Sequence, residues 1–146
     1  MKHAKALEEV VSAWSRISVH PHRFGGREFR FGAAEVGHVH TNGRVDVPFT
    51  RPIHDLLLSE GLAEEHYWVP NSGWITFRIR NERDIHHALW LLRLSYLRYE
   101  LKTVSDPRGT LDKESEELHL TPRFKSLLEP LVPRAAQQGS AEPLTA

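Results

Sequence analysis

The dipeptide Asn42-Gly43 constrains this chain more than any other feature, because it separates two runs in which apolar and polar residues alternate. Residues 35–41 and 44–49 each read as a strand, since side chains across a sheet repeat every two residues. Asn-Gly between such runs favours a tight hairpin, because both residues tolerate positive φ. A two-residue loop pairs His40 with Val45 and His38 with Val47. Directly paired residues share a face, so Val36, His38, His40, Val45, Val47 and Phe49 form one surface and Asp46 joins Val39 on the other. A three-residue loop exchanges these faces, because a slip of one residue turns every side chain over. The two-residue loop is the favoured reading.

The remaining elements follow from periodicity and punctuation. Leu7, Val10, Val11 and Trp14 recur at helical spacing, which predicts a helix over 4–15. Ile17 and Val19 alternate with polar neighbours and predict a strand ending at Pro21; Phe29 and Phe31 predict a second. Thr50, Pro52 and Gly61 bracket a short helix. Residues 66–69 read as a strand, 70–73 as a turn and 74–80 as another strand. Asn81 caps a long helix reaching about Leu101, with apolar residues on two stripes. Residues 106–109 read as a loop, 122–129 as one short helix, and the small, polar residues after 133 as disordered. The expected organisation is a main domain over 1–104, a C-terminal extension over 105–133 and a tail over 134–146. The expected fold is α+β: an antiparallel sheet of about five strands packed against an N-terminal helix, a short middle helix and a long C-terminal helix.

Composition removes several function classes. The chain has 146 residues and no Cys, which excludes disulfides, thiolate nucleophiles and Cys-based metal sites. Its formal net charge is zero, whereas a nucleic-acid binder usually carries a basic surplus against phosphate. It has no apolar run near the ~18 residues needed to cross a bilayer, and its first residues form no signal-peptide core. A cytoplasmic, non-membrane protein is therefore expected.

Histidine is the anomaly. The chain carries ten, seven of them between residues 20 and 86. His38-x-His40 on a strand sets two imidazoles on one face roughly 7 Å apart, a common way to offer nitrogen to a divalent transition metal. The third metal ligand could be His66, His20 or His22, with His66 the favoured one. Glu28 and Asp46 are candidate acid–base partners of His38 and His40, because imidazole titrates near neutral pH. His22, Arg23, Ser72 and Trp74 are candidate ligand-binding residues. Each has a plainer reading: Ser72 as a turn residue, His20 and His22 as solvent-facing loop residues, Trp74 as core. Gly32 and His38-x-His40 match the first half of a cupin motif, but the Glu expected after them is missing.

Several motifs taken together suggest a family. Residues 19–29 (VHPHRFGGREF), 35–40 (EVGHVH), Gly43, Asp46, Pro48-Phe49, His66, 70–74 (PNSGW) and 91–96 (LLRLSY) together resemble the luciferase-like domain family of small proteins over about residues 5–100. The resemblance brings no catalytic assignment with it. In shape, a Trp-bearing strand before a helix ending in Ser95-Tyr96 is similar to YjbR-type domains with a frataxin-like sheet, some of which have been suggested to bind DNA; that is an analogy between folds alone.

Three readings follow. The favoured one is a small-molecule- or metal-binding domain, with or without catalysis, centred on His38, His40 and His66. The second is a binding module for protein or nucleic acid. The third is a homodimerisation unit using the two-sided long helix.

Overall fold

The computed structural model describes residues 2–134 except 67 and 70. Helix α1 (Lys2–Val11) buries Ala4, Leu7 and Val11. Strands β1 (Ile17–His22), β2 (Gly26–Phe31), β3 (Ala34–Val39) and β4 (Arg44–Pro48) follow, then α2 (Arg51–Ser59), β5 (Glu64–Glu65), β6 (Trp74–Arg78) and α3 (Glu82–Glu100). Helices α4 (Pro107–Glu117) and α5 (Pro122–Leu128) come next. Among the described residues six strands form one antiparallel sheet in the order β1-β2-β3-β4-β6-β5. The α+β expectation stands, with one strand more than the approximate count.

The chain divides into two compact units, Met1–Tyr96 and Leu97–Ala146, with the division falling inside α3. In the first, Phe29, Val39, Val45, Val47 and Ile75 of the sheet are buried with Ala88, Leu91 and Leu92 of α3. Gly37 allows the close approach: a Cβ there would lie 2.6 Å from the Leu92 Cδ2 atom. Glu8 of α1 holds Arg27 at 3.0 Å, and Arg27 pairs with Val39, so α1 and α3 cover the same face. Ser95, fully buried on α3, donates to the Val36 carbonyl at 2.8 Å. In the second unit Leu111, Phe124, Leu128 and Val132 are buried.

Local expectations are corrected at four places. The hairpin loop has three residues, not two: His38 pairs with Asp46 and Val39 with Val45. The Gly43 N–H donates to the His40 carbonyl at 3.0 Å, closing the turn, and the Asn42 side chain accepts from the Arg44 N–H. Gly43 has φ 90° and Asn42 has no positive φ. This is the turn-plus-left-handed-glycine form rather than the type that needs two positive φ values. Gly43 also touches the end of β6, where its carbonyl accepts from Ile79 and an added Cβ would sit 2.8 Å from the Ile79 oxygen. The register is thus fixed by a third strand, not by the turn alone.

His66, Trp68 and Val69 are not in a strand; the ladder is the short β5 just before them. The His66 ring takes the Trp68 N–H at 3.1 Å, a local side-chain bond that removes that donor from sheet pairing. Residues 107–109 open a helix instead of a loop, because Asp106 caps it by accepting from the Gly109 N–H and Pro107 occupies its first turn. The first helix ends at Val11, four residues early. The expectation for the tail falls outside the described residues beyond 134.

Candidate functional site

The three-residue loop decides which face the chemistry occupies. Pairing runs His20 to Glu28, Glu28 to His38, His38 to Asp46, Asp46 to Thr76 and Thr76 to Glu64. Paired residues share a face, so one polar row crosses all six strands on the side away from α1 and α3. Residues two positions along each strand join it: His22, Arg30, His40, Arg44 and Trp74.

A bulge brings in one more group. The β2–β3 register shifts between Phe29 and Arg30, which pair with Gly37 and Glu35 and leave Val36 as the extra residue. Strict alternation would set Glu35 opposite in direction to His38. With the extra residue, the Glu35 carboxylate reaches the His38 Nδ1 at 2.5 Å.

Asp46, 1% exposed, is the centre. Its Oδ2 accepts from the His38 Nε2 at 3.0 Å and the His40 Nε2 at 2.8 Å, and its Oδ1 accepts from the Thr76 hydroxyl at 2.7 Å. The Arg44 Nε is 3.5 Å from Oδ2, and the His66 Nε2 is 3.6 Å from Oδ1. Burial alone would raise the Asp46 pKa, but the hydrogen bonds from His38, Thr76 and His40 outweigh it and hold the carboxyl far below the usual range. Burial works against charge on His38 too; bonds to Asp46 and Glu35 overcome that and lift it to about 9. His40 goes the other way. Burial lowers it, and the cations Arg44 and His38 add to that against the pull of Asp46. The His40 Nε2 also lies 3.1 Å from the Arg44 Nη2. One ring nitrogen cannot donate to Asp46 and accept from Arg44 at once, so the neutral ring has two tautomers there, and the one that accepts from Arg44 presents a lone pair.

On β1, His22 stacks on His38, with ring centroids 3.9 Å apart and planes 16° from parallel. Its Nδ1 is 3.2 Å from Glu28, whose other oxygen accepts from the Arg30 Nε at 2.6 Å. Burial raises the Glu28 pKa, but bonds from Arg30 and His22 more than offset that and bring it down. One ring nitrogen from each of His22, His38 and His40 lies within 4.8 Å of the others. Above them opens a cavity of about 730 Å³. Trp74 forms part of its wall, 5.5 Å from the His38 ring and 5.9 Å from the His66 ring.

Most residues singled out from sequence converge here. His22, Arg23, His38, His40, Asp46, His66 and Trp74 all line the cavity, and Glu28 reaches it through His22. The ring nitrogens gathered with those of His38 and His40 are those of His22; His66 instead turns toward Asp46. Ser72 stays in its turn, donating to the Val69 carbonyl and accepting from the Trp74 N–H. Glu35, Arg44 and Thr76 were missed. A carboxylate three residues before His38 signals nothing in a strand unless a bulge is foreseen. Phe24 and Trp68, also on the cavity wall, were missed as well, and only their solvent exposure marks them.

The family model described as Luciferase domain matches residues 33–95. The resemblance to the luciferase-like domain family is borne out over those residues, which include Glu35, His38, His40, Asp46, His66 and Trp74; His22 and Glu28 lie before them. No curated protein and no solved structure matches the chain.

Proposed function

We propose that this luciferase-like region is a small-molecule-binding domain whose pocket holds a divalent transition metal on His22, His38 and His40. The observation that carries the reading is the direction of two rings. His22 and His38 each turn Nδ1 to a carboxylate, Glu28 and Glu35 respectively. Metal-bound histidines are typically held that way, with one nitrogen fixed by a carboxylate; the His38 Nε2, which donates to Asp46, would exchange that proton for the ion. Asp46 supplies an oxygen beside the Nε2 atoms of His38 and His40. Nitrogen donors with one carboxylate suit zinc, iron, nickel or copper rather than calcium or magnesium. His66 acts through Asp46: its Nδ1 accepts from the Trp68 N–H, so in the neutral ring the proton sits on Nε2, which then has no lone pair to offer. A bound ion would polarise a ligand oxygen or activate water. The chain's own groups would orient the rings and line a cavity of a size ordinary for small ligands. A concave pocket of this size and the absence of a net basic charge are what support a small molecule over nucleic acid.

A second reading rests on His38 itself. Set between Glu35 and Asp46, it has both N–H groups committed and would act without any metal as a fixed cation that orients Asp46, with His40 as the neutral base. Elemental analysis of the untagged protein separates the two. Near-stoichiometric metal that is lost in His38→Ala and in His40→Ala supports the first. Metal-free protein that takes up no zinc, iron, nickel or copper on incubation retires it in favour of the second.

A further inference from the structure

We infer that the mouth of this pocket is a clasp for a flat aromatic ligand bearing an acidic oxygen, formed by Phe24 and Trp68 with Arg23 and Arg44 as the cations. The inference rests on the reading of the cavity as a small-molecule site and is independent of the metal.

Among the described residues, four large apolar side chains are exposed: Val10, Phe24, Trp68 and Val69. Three of them line this one cavity. Scattered exposed apolar residues are ordinary, but grouping at one opening marks a surface used for binding. Phe24 is 90% exposed and Trp68 70%, so core packing explains neither. Phe24 also sits in the β1–β2 turn at φ 54°, a left-handed conformation that bulky residues avoid. Glycine or asparagine would serve the turn better. A strained backbone carrying an outward aromatic ring points to a use for the ring.

The wall favours an aromatic ligand over an aliphatic one. Phe24 and Trp68 come from separate segments, and Trp74 continues the aromatic surface inward to His38 and His66. Rings stack or meet edge to face with more energy than their area alone provides. The wall also favours an acid. Its two carboxylates, Glu35 and Asp46, are already bonded to histidines. The Arg44 guanidinium lies on the lining with its Nε 3.5 Å from Asp46 and its Nη2 3.1 Å from His40, and Arg23 is exposed there. The wall thus presents two arginines and no carboxylate without a partner.

The test uses the full chain, with metal content measured on the same sample. Titration calorimetry compares 2-naphthoate with decahydro-2-naphthoate, which keeps the acid and loses the flat ring, and with 2-naphthamide, which keeps the ring and loses the charge. We expect 2-naphthoate to bind at least about fivefold tighter than either, and Phe24→Ala and Trp68→Ala each to weaken it about tenfold. Val10→Ala, an exposed apolar side chain outside the pocket, should leave it unchanged. Equal affinity for the decahydro acid or the amide, no loss in either aromatic variant, or no binding of 2-naphthoate at millimolar concentration would overturn the clasp. Metal without naphthoate binding retires the clasp and leaves the metal centre standing; naphthoate binding without metal does the reverse.

Discussion

Replacing Asp46 by Asn tests whether the polar row is a working part of the structure or a collection of contacts. Asp46 is buried and accepts hydrogen bonds from His38, His40 and Thr76 at 3.0, 2.8 and 2.7 Å. Asparagine keeps an acceptor for Thr76, but its amide turns donors toward imidazole N–H groups. A hydrogen bond to a charged group contributes about 1.5–3 kcal/mol, and removing one partner of a buried pair costs about 3–5 kcal/mol. Since one acceptor survives, the loss should be about 3 kcal/mol. Trp14, Trp68, Trp74 and Trp90 all belong to the first unit, so tryptophan fluorescence in urea follows that unit's unfolding. With a urea slope of about 2 kcal/mol per molar, the midpoint should fall by about 1.5 M. Thr76→Val removes only the hydroxyl and should move it by less than half as much. A midpoint for Asp46→Asn within about 0.3 M of wild type would refute the reasoning, since the buried carboxylate would then add nothing net over a neutral amide.

Other outcomes follow from the same geometry. Gly43→Ala should destabilise the first unit by about 1–2 kcal/mol, because alanine disfavours positive φ and its Cβ would press on the Ile79 carbonyl; urea unfolding reads the effect. Ser95→Ala leaves the buried Val36 carbonyl without its side-chain donor and should cost about 1 kcal/mol by the same assay. His66→Ala should retain metal near the wild-type stoichiometry, since the gathered ring nitrogens are those of His22, His38 and His40; loss of metal there would move His66 into the donor set. Metal affinity should fall as pH is lowered, because an ion must displace protons from its histidines; competition against a chelating dye at several pH values gives the sign.

Much of the fold was legible because it is written in local pattern. Alternation gave five of the strands, the Asn81 cap and the two apolar stripes gave α3, and the density of histidine between β1 and β6 pointed to the residues of the site, while the two-residue loop set His38 and His40 on the wrong face, with Val45 and Val47 instead of Asp46. What failed was single-residue register. At Asn42-Gly43, two loops differing by one residue both satisfy the local sequence, and they send Asp46 to opposite faces. The choice was made by pairing with β6 and by Ile79 just after it, whose N–H bonds the Gly43 carbonyl, a partner more than thirty residues away. The bulge at Val36 is of the same kind: nothing nearby announces it, yet it carries Glu35 to His38.

The sequence by itself determined the α+β class, the strand-and-helix order of the first unit, and which residue types were available for chemistry, because periodicity and turn residues act over a few neighbours. Only the tertiary structure decided that His22 stacks on His38, that Asp46 faces both His38 and His40, that Glu35 joins them, and that Phe24 and Trp68 stand at one opening. Those relations depend on cross-strand register and on segments far apart in the chain. Pairing energies there come from neighbouring strands and from packing against α3, and no local window of sequence contains them.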